Sequence, residues 1–259
     1  TDYRPDVPHM RLCIIPERLT IAWDQRLLPH AIRDENIDVF FSPYFKGPLA
    51  VNVPVVTTVH DIIPLLGFES GCMVQCFLQK KYFRFMVNRG IRRGNYVIAV
   101  SESTKRDITR FFPIVEKKII VVPEAVDRDR YQHYSDIDKQ YTGRYGIHGP
   151  FIFYCGNFKP HKNIARLLRA YAMVPEDIKR QYCLVLGGAK DGRWFPRVAR
   201  EIRRCRLEGR VLCPGFIAEN DLPYLYSAAA LFVMPSLYEG FGLPVLEAEG
   251  ADRVAAKLS

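Results

Sequence analysis

The chain has 259 residues, is 48% hydrophobic and 25% charged, and carries a formal net charge of +9. That composition excludes a disordered or fibrous chain, and the length suits one large domain or two of ordinary size. No run reaches the ~18 uninterrupted apolar residues that a membrane-spanning helix needs, and no secretory signal opens the sequence.

The opening TDYRPDVPHMRLCIIP has no initiator methionine and reads as the interior of a longer protein. Thereafter apolar runs of strand length alternate with segments of helical period. RLCIIP, IDVFFSP, PVVTTVHD, NYVIAVS and KIIVVPEAV are expected as short, mostly buried strands, with helical stretches near 22–34, 72–93 and 101–112. Ser101 stands where a helix N-cap belongs. Residues 127–149 are polar, tyrosine-rich and aperiodic, which suits an inter-domain connection. The alternation then restarts: strand FIFYCG, helix KNIARLLRAYAMV, strand YCLVLGG, helix WFPRVAREIRRCRL, strand RVLCPGF, a short helix LPYLYSAA, strand LFVMPS, and a helix opening at LPVLEA.

Strand–helix alternation means βαβ units, so the expected class is α/β with parallel sheets. Two runs joined by a connection imply two facing Rossmann-like domains, residues 1–148 and 149–259. Ligands are then expected at the carboxyl ends of the strands.

The seven cysteines are odd in number and form no C-x-x-C, which favours reduced thiols and a cytoplasmic setting over a disulfide framework. Two basic clusters stand out. Residues 80–93, KKYFRFMVNRGIRR, hold six bases and no acid, and mix them with Phe83, Phe85 and Met86. Arg193, Arg197, Arg200 and Arg204 share helical spacing. Either cluster is a solvated face or a docking surface for an anionic membrane or a phosphorylated substrate. Nucleic acid is not expected, because no recognition motif accompanies the charge.

The densest chemistry lies in MPSLYEGFGLPVLEA. A buried strand ends at Met234, and Pro244 sits where a first-turn proline belongs. Glu239 then falls on the loop and Glu247 about one turn into the helix. Gly240 and Gly242 admit close backbone approach, and the helix start offers N–H groups to an anion. A sugar nucleotide has matching parts: a diphosphate with hydroxyls on both sides. In YCGNFKPHKN, Lys162 near the next helix is a cation for a phosphate. In VVTTVHDIIPL, His60 leaves the carboxyl end of a strand, either as a structural histidine or as a site residue.

Together these stretches resemble glycosyltransferase family 4, the retaining group 1 enzymes of GT-B fold. RLTIAWDQRLLP, IDVFFSPYF, VIAVSESTKRDI, KIIVVPEAVD and PGFI extend the likeness over nearly the whole chain. It is similar to mannosyl- and rhamnosyltransferase-like members of cell-surface polysaccharide pathways. The resemblance implies a retaining hexosyltransferase that moves a sugar from a UDP- or GDP-sugar to a glycan or lipid-linked acceptor. It also implies a place in the cytoplasm or at the inner face of the cytoplasmic membrane.

By the same resemblance, His60 and Glu239 meet the transferred sugar and Glu247 holds ribose. Phe241, Gly242 and Leu243 give backbone N–H groups to the diphosphate, with Gly156, Asn157 and Lys162 beside it. Gly215 and Ile217 border the base. No cofactor or metal is expected, because a lysine and a helix start take the metal's place.

The sequence also departs from the family. Asn157 stands where an arginine is usual, with His161 or Lys159 as its substitutes. The family's first strand and glycine-rich loop are missing, and EGADRVAAKLS replaces the usual continuation. Both domains are therefore expected to be incomplete, the second lacking its last strands. A non-catalytic nucleotide-sugar-binding module or partner subunit is the alternative reading.

Overall fold

Runs rich in Val, Ile and Phe become strands where they find a partner strand, and the first sheet shows this directly. The computed structural model describes residues 9–17, 19–68, 73–92, 96–112, 116–135, 137, 139–252 and 255–257. It forms two units, Thr1–His60 with Lys81–Val122, and Asp61–Lys80 with Pro123–Ser259.

The first unit holds β1 (Phe40–Ser42), β2 (Val55–Val59), β3 (Tyr96–Ala99) and β4 (Ile119–Val121). They pair in that order, every pair parallel. Val55, Val59, Val97, Ala99 and Ile119 are buried. The helix Glu102–Phe111 begins as expected, with Ser101 Oγ accepting the Thr104 N–H at 3.0 Å. Helical residues Thr20–Ala22, a π turn Trp23–Leu27 and the helix Leu28–Asp34 follow one another without a break.

RLCIIP does not form a strand. Leu12 and Ile14 are 50% and 79% exposed, and the Ile15 carbonyl accepts the Trp23 indole N–H at 3.0 Å. A short apolar run carries no partner of its own, and here its carbonyl is claimed by a side chain instead of a ladder. The basic helix Met73–Arg92 forms, but its apolar residues do not share one face. Phe83 and Met86 are buried while Phe85 is 54% exposed, so core packing takes two of the three side chains expected at a lipid surface. Cys72 and Arg93 lie outside the described residues. No described helix is long and apolar enough to cross a membrane.

The second unit holds β5 (Phe151–Cys155), β6 (Cys183–Gly187), β7 (Val211–Gly215), β8 (Leu231–Met234) and β9 (Ala255–Lys257). Their order is β7-β6-β5-β8-β9, again all parallel. The chain runs outward from β5 through β6 to β7, then returns to the other side of β5. Strand order therefore reverses between β5 and β8, the position at which doubly wound sheets bind ligands outside their carboxyl ends. The sequence reading stopped at β8; β9 adds a strand, with Phe232 opposite Ala255.

Both faces of this sheet are buried, as parallel strands require. On one, Phe153, Tyr226 and Phe232 meet edge to face with centroids 5.1–6.2 Å apart. On the other, Leu168, Leu184, Leu186 and Trp194 pack together. Three short helices had no sequence signal strong enough to place them: Ile63–Leu66, Lys139–Gly143 and Glu176–Gln181. None of the three contains a buried side chain, so none presents an apolar stripe to the core. The connection after β4 folds onto the second unit: Tyr131 and Ile147 enter its core, and Arg144 and Tyr145 both bond Asp221.

Candidate functional site

Adjacent parallel strands bring their carboxyl-terminal loops side by side, and the two richest motifs follow β5 and β8. After β5 the backbone turns at Gly156 (φ +152°), where a Cβ would meet the Tyr154 hydroxyl at 2.9 Å. A 3-10 turn, Pro160–Lys162, and Asn163 in the left-handed region (φ 58°) lead into the helix Ile164–Ala172. Lys162 thus lies in the turn before the helix rather than inside it.

Two hydrogen bonds strap this loop to the one after β8. Leu237 N–H donates to the His161 carbonyl at 2.8 Å, and Asn163 Nδ2 donates to the Pro235 carbonyl at 3.0 Å. A third contact is ionic: Lys162 Nζ lies 2.6 Å from Glu239 Oε1, each side chain only about 15% exposed. A charge pair so sheltered is screened less than one on the surface.

The loop then closes at Gly242 (φ +103°) and the helix Leu243–Gly250 begins, with Pro244 in its first turn. Phe241 and Leu243 flank that start. Glu247 lies one turn along and its Oε2 accepts the Tyr226 hydroxyl at 2.8 Å. Tyr131 lies close enough to feel the same carboxylate; burial, then the Glu247 charge, pushes its phenol up to about 12. Beneath both motifs, at the end of β5, burial pushes the Cys155 thiol up to about 12, with Glu247 adding to the rise and Lys162 opposing it. Both the Lys162 charge and the Glu247 charge are therefore felt at Cys155.

The remaining expected residues are less uniform. Asn157 places its carbonyl under the Tyr154 hydroxyl at 2.6 Å and its Oδ1 under the Lys159 N–H at 3.2 Å, which fixes the loop. Gly215 (φ +97°) ends β7, two strands from β5. Ile217 is 4% exposed and packs in the core, so a bound base would meet its backbone rather than its side chain. His60 belongs to the first unit, where its Nε2 donates to the Pro43 carbonyl at 2.7 Å.

Sequence reasoning missed Tyr131, Tyr226, Cys155 and Ser236. Ser236 is 5% exposed and its Oγ has no hydrogen-bond partner. The tyrosine richness of 127–149 was the one signal that pointed toward Tyr131. Two Asp-x-Asp patterns are also present. Asp127 Oδ1 caps its own turn by accepting the Asp129 and Arg130 N–H groups, and the pattern at 136–138 includes residues outside those described.

Comparison with known proteins identifies the family. Residues 2–130 match the model described as Glycosyltransferase Family 4, and residues 146–251 the model described as Glycosyl transferases group 1. O-antigen chain mannosyltransferase B of Escherichia coli is 31% identical over 227 residues, 84% of this chain and 56% of that protein. O-antigen chain mannosyltransferase RfbU of Salmonella typhimurium is 28% identical over 191 residues, 74% of this chain and 48% of that protein. The chain thus spans about half the length of these two relatives. Among solved structures, sucrose-phosphate synthase of Thermosynechococcus elongatus aligns at TM-score 0.73 and 20% identity, over 88% of this chain and 57% of the other. The Anabaena protein HepE, in complex with UDP and glucose, aligns at 0.71 and 20%, over 94% and 65%.

Proposed function

The chain belongs to the family 4, group 1 glycosyltransferases and has their GT-B fold, and on that premise we propose that it transfers a hexose from a nucleoside diphosphate sugar to a glycan or lipid-linked acceptor, with retention of configuration. The observation that carries this reading is the Lys162–Glu239 pair at the β5–β8 reversal, with Glu247 on the helix that the same β8 loop opens. The mannosyltransferase names of the relatives favour mannose, and either UDP or GDP suits the site's chemistry.

In this reading the diphosphate lies between Lys162 and the start of the helix Leu243–Gly250. Departure of the nucleotide builds negative charge on it while the sugar becomes oxocarbenium-like. A cation and oriented N–H groups stabilise that charge more as it develops than before, so they lower the barrier and not only the binding energy. The reaction then needs no metal. With Lys162 holding the phosphate, Glu239 is released from its partner to accept sugar hydroxyls, and Glu247 takes the ribose. The acceptor hydroxyl attacks from the face the nucleotide leaves, without a protein nucleophile.

Calorimetry with UDP and GDP tests the donor half. Binding is expected, and Lys162→Ala should weaken it by roughly 1–3 kcal/mol, the worth of a charged hydrogen bond. Unchanged affinity in the variant would remove Lys162 from the site. Transfer is tested on the full-length protein with mannosyl donors, with and without EDTA; turnover that EDTA abolishes would overturn the metal-free reading. Saturable nucleotide binding without transfer would leave a binding module.

A further inference from the structure

Glu247 is the meeting point of three elements, and two of them had no assigned part in the site. Tyr226, on the helix Leu222–Ala228, is 1% exposed and donates to Glu247 Oε2 at 2.8 Å. Tyr131, 7% exposed, arrives from the segment after β4, and its phenol feels the Glu247 charge. The two rings meet edge to face, centroids 6.1 Å apart. Gly250, three residues beyond Glu247, lets that segment close on the helix, since a Cβ there would stand 2.5 Å from the Tyr131 carbonyl oxygen.

We propose that Tyr226, held by the Tyr131 ring packed against it, is a positioning residue for Glu247, fixing its carboxylate so that it accepts both hydroxyls of one vicinal ribose diol. The inference rests on the reading of Glu247 given above. A carboxylate offers about four lone-pair sites. The Tyr226 phenol occupies one of them and restrains rotation about the terminal torsion, which is otherwise broad. The sites left over are enough for the two hydroxyls of one cis-diol. Burial holds the Tyr226 phenol protonated well past neutrality, so it acts as a donor throughout the working range. Glu247 itself stays partly exposed, as a group that must meet a ligand does. Fixing the acceptor before the ligand arrives removes an ordering cost at the moment of binding.

The test is a ratio rather than an affinity. Binding of UDP and GDP is measured against their 2′,3′-dideoxy counterparts by calorimetry on the whole chain. The native protein should prefer the ribose forms by about ten-fold or more, as expected for two hydrogen bonds to an ionised group. Glu247→Gln should lose most of that preference. Tyr226→Phe should reduce it by about three- to ten-fold while affinity for the dideoxy forms stays unchanged. A purely structural role would move both affinities together. No ribose preference in the native protein would sink the reading of Glu247 itself. A preference lost in Glu247→Gln but kept whole in Tyr226→Phe would overturn only the positioning role. Should Tyr226→Phe not fold, Tyr226→Leu, which also removes the donor, is judged on the same ratio.

Discussion

At the scale of single residues, the two glutamates of the β8 loop are bound to different partners, and their losses should differ in kind. Glu239 is paired to Lys162 and, in the proposed mechanism, meets the sugar near the reacting centre. Glu239→Gln should therefore lower turnover far more than donor affinity, by about ten- to a hundred-fold. Glu247→Gln should mainly raise the donor KM, because ribose is remote from the bond that breaks. Steady-state assays of a full-length version separate the two, and equal effects on both parameters in both variants would contradict the assignment. Thiol chemistry offers a second check. With its pKa pushed up to about 12, Cys155 carries almost no thiolate at pH about 8, whereas Cys13 is exposed. Iodoacetamide should label Cys13 in the native protein and leave Cys155 unmodified until denaturant is added. Rapid native labelling of Cys155 would mean that the floor of the site is open.

Tyr131 links the same residues to stability. Its phenol is raised from 10.0 to about 12 by burial first, then by Glu247, against a smaller opposing effect of Arg130. The folded state thus holds the proton more tightly than the unfolded state. That contribution is fully present below pH about 10 and is lost as pH rises toward 12. Alkaline unfolding followed by circular dichroism should become less steep over that window in Tyr131→Phe. An unaltered pH profile would show that the buried phenol does not titrate with unfolding.

At the scale of elements, the helix Met73–Arg92 keeps its basic charge and loses most of its apolar partners to the core. Lys81, Arg84, Phe85 and Arg89 remain exposed. A basic face with one exposed aromatic favours electrostatic attachment over deep insertion. Vesicle co-sedimentation should rise with anionic lipid and fall steeply with salt, while Phe85→Ala should matter less than Arg84→Glu with Arg89→Glu. Equal recovery on neutral and anionic vesicles would leave only a solvated face. The second basic set is partly spoken for: Arg193 and Arg197 lie over the Trp194 ring at 4.6 and 4.8 Å. The Ser101 cap is a cleaner element-level case. Ser101→Ala should lower stability by roughly 1 kcal/mol, measured by thermal denaturation.

At the scale of the whole molecule, the order of motifs along the chain already contained most of the architecture. Strand-length apolar runs alternating with helical period dictate parallel sheets, because successive parallel strands need a crossover between them. The Glu239–Glu247 spacing, with Gly242 and Pro244 between, contained the loop-then-helix geometry, since left-handed backbone and a first-turn proline are local requirements. What the sequence could not contain was any fact set by a distant partner. RLCIIP reads as a strand, but only the ladder decides, and none reaches it. Phe83, Phe85 and Met86 read alike, yet packing buries two and exposes one. Lys162 and Glu239 stand 77 residues apart, and Tyr226 and Glu247 21 apart, with no local pattern joining either pair. The strand order β7-β6-β5-β8-β9 alone makes the first pair neighbours, by placing β5 beside β8. Tyr131 joins Glu247 only because the aperiodic connection folds back onto the second unit. The sequence by itself determined the chemical groups and the local shape of each loop, because those follow from backbone torsions a few residues long. Only the tertiary structure decided which groups neutralise and orient one another, because charge pairing and burial depend on neighbours that the chain order does not name.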